Sequence, residues 1–129
     1  MIVVHGGDIV YQDRPTRRSA DPFAVAGGGS ASARQVLLDY VPQRTPHIHP
    51  HSEEVFYVVR GRGEIWVDGA RHRVGPGTWV RVPARAPHAT MAAPGEQMEL
   101  ICFFPHPDLD QNIEELDIGL DAPTEADND

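Results

Sequence analysis

The chain has 129 residues, enough for one domain with its own core. Its formal net charge is −8, from 11 Lys+Arg against 19 Asp+Glu, and all 11 bases are Arg. The absence of Lys excludes Schiff-base and phosphate-loop lysine chemistry, and the single Cys102 excludes an internal disulfide.

The charge is unevenly spread. Residues 105–129 hold 9 acids and no Arg, while residues 1–104 hold 10 acids and 11 Arg, so a nearly neutral body precedes an acidic end. A body without a basic stripe argues against nucleic acid as a partner. No apolar run approaches the roughly 18 residues of a membrane span. The first residues, Met1-Ile2-Val3-Val4-His5, lack the basic and long apolar regions of a signal peptide. The expectation is a cytoplasmic protein with neither nucleic-acid nor membrane partners.

Gly 12 and Pro 12 punctuate short apolar runs, the pattern of an all-β domain with tight turns. Residues 9–11 form the first run. Residues 12–22 are poor in apolar side chains, and Asp13 to Arg18 reads as a solvated surface loop, with an anion-binding arm as the alternative. Phe23-Ala24-Val25 is a second run, and Gly27-Gly28-Gly29-Ser30 a flexible connector. Further runs at 35–41, 55–59, 64–67, 79–82 and 98–104 are rich in Val, Ile, Phe, Tyr and Trp, as strands are. Asp68-Gly69 predicts a hairpin turn, and 60–63 and 75–77 two more turns. Leu109, Ile113 and Leu116 fall at i, i+4, i+7, which predicts a short helix over 108–117. Beyond Leu120 the composition reads as disordered.

Alternation assigns faces within these runs. If Glu54 points inward, so do Phe56 and Val58; if His88 does, Thr90 shares its face. Met98, Leu100, Cys102 and Phe104 form the more apolar face of the last long run and should face the core or a cavity. Cys102 reads as a small buried hydrophobe, and Tyr57, Trp66 and Trp79 as packing residues between sheets or at a subunit contact.

The chemistry lies in His47-Ile48-His49-Pro50-His51-Ser52-Glu53-Glu54. His47 and His49 are two apart, and the prolines on either side favour an extended backbone, which points both imidazoles to one face. Glu54 opens an apolar strand, where a carboxylate is costly unless it is paired or metal-bound. His88 follows the turn-rich segment that starts at Pro83. Three His and one Glu make a mixed N/O donor set for a first-row divalent ion. The bland alternative is seven surface His in an acidic chain, and His5, His72 and His106 are read that way.

His47-x-His49-x4-Glu54-x6-Gly61 resembles the first motif of the cupin superfamily, and Gly77-x5-Pro83-x4-His88 resembles the second. The resemblance covers roughly residues 45–92. It implies a double-stranded β-helix (jelly-roll) barrel over residues 1–107, with motif one at 47–61 and motif two at 77–92. Residues 108–129 would add the short C-terminal helix and the acidic tail. It also implies that His47, His49, Glu54 and His88 hold one divalent transition metal ion (Fe, Mn, Ni or Zn). The resemblance to some cupin dioxygenases also implies a second role for Glu54, as a catalytic base. On the motif's spacing, His51 becomes a rim residue and Glu53 faces solvent. The chain departs from the family pattern at Val41, Arg85 and Ala92, where two glycines and an asparagine are usual; Arg85 puts the local turn in question and reads as a solvated loop residue, with binding of an anionic substrate at the barrel mouth as the alternative.

The resemblance implies a metal-dependent enzyme acting on a small, oxygen-rich organic molecule. An oxygenase (a dioxygenase) is the first expectation. A non-redox isomerase, cyclase or lyase using the metal as Lewis acid is the second, and a non-catalytic binding module the third. Small cupins usually pair, so a homodimer is expected, with residues 2–4 as a candidate exchanged strand.

Overall fold

The structure is a computed structural model that describes residues 1–14, 17–24 and 28–120. The expectations for Pro15, Thr16, Val25, Gly27 and the tail after Leu120 lie outside the described residues. Strands are numbered in chain order and form two antiparallel sheets. The larger runs β1 (Gln12–Arg14), β2 (Arg17–Ala20), β3 (Ser32–Asp39), β10 (Gln97–Phe104), β5 (Glu54–Arg60), β8 (Trp79–Val82). The smaller runs β11 (Glu114–Glu115), β4 (His47–Ile48), β9 (His88–Ala92), β6 (Gly63–Val67), β7 (Ala70–Val74). This is the expected all-β jelly-roll architecture. The described residues contain no helix long and apolar enough to cross a membrane.

The period-2 rule explains the core. On β10, Met98, Leu100, Cys102 and Phe104 are buried and alternate with exposed or half-exposed neighbours, and β5 buries Glu54, Phe56 and Val58 in the same way. Ile65, Val74, Val82 and Leu38 join them to fill the space between the sheets. Burying a side chain such as Phe56 or Phe104 stabilises the fold by roughly 1.5–3 kcal/mol. One irregularity keeps this face intact. Glu99 pairs with Arg60 but Leu100 pairs with Val58, so Val59 bulges outward while Val58 and Leu100 stay inward.

Turn chemistry sets the connections. Asp68 and Gly69 have φ of 48° and 88°, as a two-residue hairpin linking β6 to β7 requires. Gly61 has φ 83°, and a Cβ there would collide with the Gln97 carbonyl and the Met98 backbone, so only glycine fits.

Two expectations need correction. The stretch Asp13 to Arg18 is not simply a loop, because its described residues belong to β1 and β2, which pair antiparallel and extend the larger sheet. Their inward residues, Arg17 and Ser19, are polar, so no apolar alternation marked them as a strand. Residues 108–117 form no helix. Asp108 accepts a hydrogen bond from the Asp110 N–H at 2.9 Å, which closes a turn. The backbone then pairs as β11 with β4, and the Leu116 N–H donates to the Pro46 carbonyl at 3.0 Å. Ladder bonds with β4 supply what an isolated helix would have had to find within itself. Leu109 still packs on the core, and Leu120 is buried beside Trp66 and Ala89 on the outer face of the smaller sheet. Trp79 is 71% exposed, with its ring against Tyr57 at 4.6 Å.

Candidate metal centre

His47 and His88 sit opposite each other across the β4–β9 ladder. His49 follows two residues after His47 and points to the same side. The ring centroids lie 4.9 Å (His47–His49), 4.3 Å (His47–His88) and 5.0 Å (His49–His88) apart. One nitrogen from each ring falls within 4.8 Å of the others. Glu54, the first residue of β5, reaches the same point from the opposite sheet. Its Oε1 lies 3.1 Å from His88 Nε2 and 3.5 Å from His49 Nε2. The structure therefore brings His47, His49 and His88 together, with Glu54 against the last two.

Hydrogen bonds at the far side of two rings fix their orientation. His49 Nδ1 donates to the Asn112 carbonyl at 2.8 Å, and His88 Nδ1 donates to the Ala86 carbonyl at 2.9 Å. A carbonyl only accepts, so the proton of each neutral ring is on Nδ1. Nε2 is then a lone pair in both, and both lone pairs face the Glu54 oxygen. His49 Nε2 is buried with no hydrogen-bond partner. Three lone pairs converging in a buried space repel unless a cation lies between them. A proton is one solution and a divalent ion is the other; the imidazole and carboxylate donor set fits Mn, Fe, Ni or Zn.

The electrostatics agree with a cation site. Burial alone would raise the Glu54 carboxyl; in the metal-free chain a proton between Glu54 and the Nε2 atoms of His49 and His88 supplies the hydrogen bonds and charge that outweigh burial and hold the group below the usual carboxylate range. His47 is lowered to about 3, first by burial and then by His88 and His49. It therefore stays neutral and able to ligate at physiological pH. Burial pushes the Cys102 thiol well up, with the Glu54 charge adding to it, so it remains a protonated, buried thiol.

The neighbours in sequence are elsewhere. His51 is exposed and its ring stacks on His106 at 5.6 Å. Glu53 points outward, 3.6 Å from Arg81. Arg85 is exposed with φ 68°; it keeps the turn that a glycine would make, and its N–H donates to the His49 carbonyl at 3.0 Å.

Sequence reasoning missed Asn112. It is fully buried, its Oδ1 accepts the His51 N–H at 2.8 Å, and its Nδ2 donates to Ser52 Oγ at 2.7 Å. With its carbonyl on His49, it clamps the loop between β4 and β5. No local pattern marked it, because its partners are about 60 residues away. Arginines were missed as well. A cavity of ≈ 80 Å³ above the His/Glu cluster is lined by Arg17, Arg34 and Arg44 together with Thr90, Cys102 and Phe104. The Arg44 guanidinium is lowered from its ordinary value first by burial and then by the Arg17 charge, with Glu115 opposing. The anion-binding alternative for residues 13–18 was a hint of Arg17, whereas Arg85, the other arginine considered for an anionic substrate, does not line the cavity.

Residues 36–104, more than half of the chain, match the family model described as the cupin domain. The chain belongs to the cupin family. This cupin is 27% identical over 75 residues to an uncharacterized protein of Methanocaldococcus jannaschii, covering 58% of this chain and 60% of that one. It spans about half the length of the curated relatives it matches. Among solved structures it resembles KdgF from Halomonas sp., with TM-score 0.69, 25% identity, and 84% of this chain and 96% of that chain covered. It also shares the fold of the polyketide cyclase RemF from Streptomyces resistomycificus, with TM-score 0.73, 19% identity, and 92% of this chain and 87% of that chain covered.

Proposed function

We propose that this cupin is a metal-dependent enzyme acting on a small, oxygen-rich molecule by non-redox, Lewis-acid chemistry. His47, His49, His88 and Glu54 would hold one divalent ion. When bound, that ion supplies Lewis-acid polarisation of a substrate oxygen or, if redox-active, electron transfer to dioxygen. The observation that favours the first is the charge around the cavity. Among the described residues Arg17 and Arg34 line it with no carboxylate partner of their own, beside Arg44, which Glu115 offsets, and the one lining carboxylate is Glu54. A positive surrounding stabilises the lower oxidation state of an ion and strengthens its pull on an anionic oxygen. The residues themselves orient the substrate through the arginines, exclude water with Phe56, Leu100 and Phe104, and offer the Glu54 carboxylate to receive a proton from it. The oxygenase expected first from the sequence is the competing reading, and a non-catalytic binding module the third.

The test joins metal analysis with assays under and without air. Protein from unsupplemented cells should contain one divalent ion per chain. Turnover of small hydroxy and oxo acids should proceed anaerobically and with Zn in the site. Substrate loss that consumes oxygen in proportion and stops without it would establish the oxygenase reading instead. Assembly as a homodimer belongs to the same proposal. Exposed Ile2 and Val3, and the outward Ile101, Phe103 and Trp79 of the larger sheet, offer the apolar surface for it. Gel filtration at micromolar concentration should show a dimer; a monomer there would count against it.

A further inference from the structure

Six of the 11 arginines form two contrasting groups. Outward-facing Arg18, Arg60, Arg71 and Arg81 each have a carboxylate partner, in Asp13, Glu99, Glu64 and Glu53 respectively. Arg17 and Arg34 face inward. On β2, half-buried Arg17 and Ser19 alternate with exposed Arg18, and both line the cavity above the His/Glu cluster. On β3, Arg34 lines it beside Val36 and Leu38, and Arg34 pairs in register with Cys102 of β10. Among the described residues no hydrogen bond or ion pair engages the side chain of Arg17 or Arg34, and Arg34 Nε is buried without a partner. A guanidinium directed into a barrel interior is unfavourable unless something anionic meets it. The one carboxylate lining that cavity, Glu54, already faces His49 and His88.

Shape and charge narrow the anion. The inner cavity holds ≈ 80 Å³, above the roughly 10–15 Å³ that a single water requires. That is room for a small molecule only. It opens to an outer chamber of ≈ 430 Å³ that shares Arg17, Ser19 and Arg34 and adds Asp21, Asp108, Asp110 and Glu115. Those acids oppose a second negative charge at the mouth. A planar monoanion matches guanidinium forks, which bind carboxylate in bidentate fashion.

We propose that Arg17 and Arg34 form a carboxylate anchor, and that the substrate is a small 2-hydroxy or 2-oxo acid whose neighbouring oxygen faces His47, His49, His88 and Glu54. The anchor stands on its own observations; the placing of the second oxygen rests on the metal-site reading above.

Calorimetric titration with lactate, its uncharged analogue lactamide, pyruvate, glycolate and inorganic phosphate tests it, on the protein as purified and after chelator treatment. Lactate should bind the purified protein at least about tenfold more tightly than lactamide. Arg17→Gln and Arg34→Gln should each weaken lactate about ten- to a hundredfold, the range of one charge-assisted hydrogen bond. Both should leave lactamide binding and metal content unchanged, which separates an anchor from a folding role. Arg17→Lys and Arg34→Lys should restore part of the loss. Equal affinity for lactate and lactamide, insensitivity to both Gln variants, or no binding of lactate, glycolate or pyruvate at millimolar concentration overturns the anchor. Tighter binding of phosphate than of lactate overturns the carboxylate assignment. Protein that holds no metal as purified and takes up none when Mn, Fe, Ni or Zn is added, yet binds lactate in an Arg17- and Arg34-dependent manner, keeps the anchor and removes the metal-site reading; metal-loaded protein whose lactate binding ignores both arginines does the reverse.

Discussion

His47 and His88 are direct cross-strand partners on β4 and β9, with ring centroids 4.3 Å apart. Side chains opposite each other in an antiparallel pair start about 4.5–5.5 Å apart at Cβ. The ladder therefore places these two imidazoles together without any help from loops. His49 joins by the period of the same strand direction, and Glu54 arrives from the facing sheet. If these four residues hold the ion, His47→Ala, His49→Ala and His88→Ala should each strip most of the metal from the purified protein. His51→Ala should not, since His51 is exposed and stacks on His106. Elemental analysis of the four variants decides it; full retention of metal in His47→Ala would remove His47 from the site.

The same burial that prepares His47 for a metal makes the metal-free protein sensitive to acid. His47 is lowered to about 3 in the folded chain, against about 6.5 when unfolded. Between those values the unfolded state binds more protons than the folded one, so stability rises with pH across the window and falls as pH drops through it. Glu54 is also depressed, so its contribution is present above the ordinary carboxylate range and lost on further acidification. Thermal scans of chelator-treated protein should show Tm falling steadily from pH 7 to pH 4. A flat profile over that range would show that neither group is buried as described.

Asn112 offers a sharper test of how the loop between β4 and β5 is held. Its side chain satisfies the His51 N–H and Ser52 Oγ, and both lose that partner in Asn112→Ala. Losing a buried partner costs about 1–3 kcal/mol. Groups that support a metal ligand typically carry about ten- to a hundredfold of the affinity. Asn112→Ala should therefore lower the urea midpoint and also weaken metal binding measured by competition with a chelator. A loss of stability with unchanged metal affinity would make Asn112 a structural residue alone.

Much of this was legible in the chain, for physical reasons that can be located. The alternation Met98, Leu100, Cys102, Phe104 named the inward face of β10, because one face of that strand meets the core and the other meets solvent. Asp68-Gly69 named its turn, because positive φ at both positions favours those residue types. The two motifs pointed to His47, His49 and His88, which cluster, and to Glu54, which lies against His49 and His88. What stayed hidden involves partners distant in sequence. Arg17 lies on a strand whose inward face borders a polar cavity, so apolar periodicity had nothing to report there. Leu109, Ile113 and Leu116 happen to match a helical period, and only the pairing of β11 with β4 shows why no helix forms. Asn112 reaches partners about 60 residues away, beyond any local pattern.

Arg85 provides a last test, at a position where this cupin departs from the usual glycine. Its φ of 68° lies in the left-handed region, which costs a side chain with a Cβ roughly 1–2 kcal/mol relative to glycine. Glycine gives some of that back through the greater freedom of the unfolded chain. The Arg85 side chain is exposed and does not line the cavity, so nothing else is lost on replacing it. The turn must persist because the Arg85 N–H donates to the His49 carbonyl. Arg85→Gly should therefore raise stability by about 0.5–1 kcal/mol, read as an upward shift of the denaturant midpoint, with metal content unchanged. A decrease in stability would mean that the guanidinium makes a contribution larger than the backbone strain it accompanies.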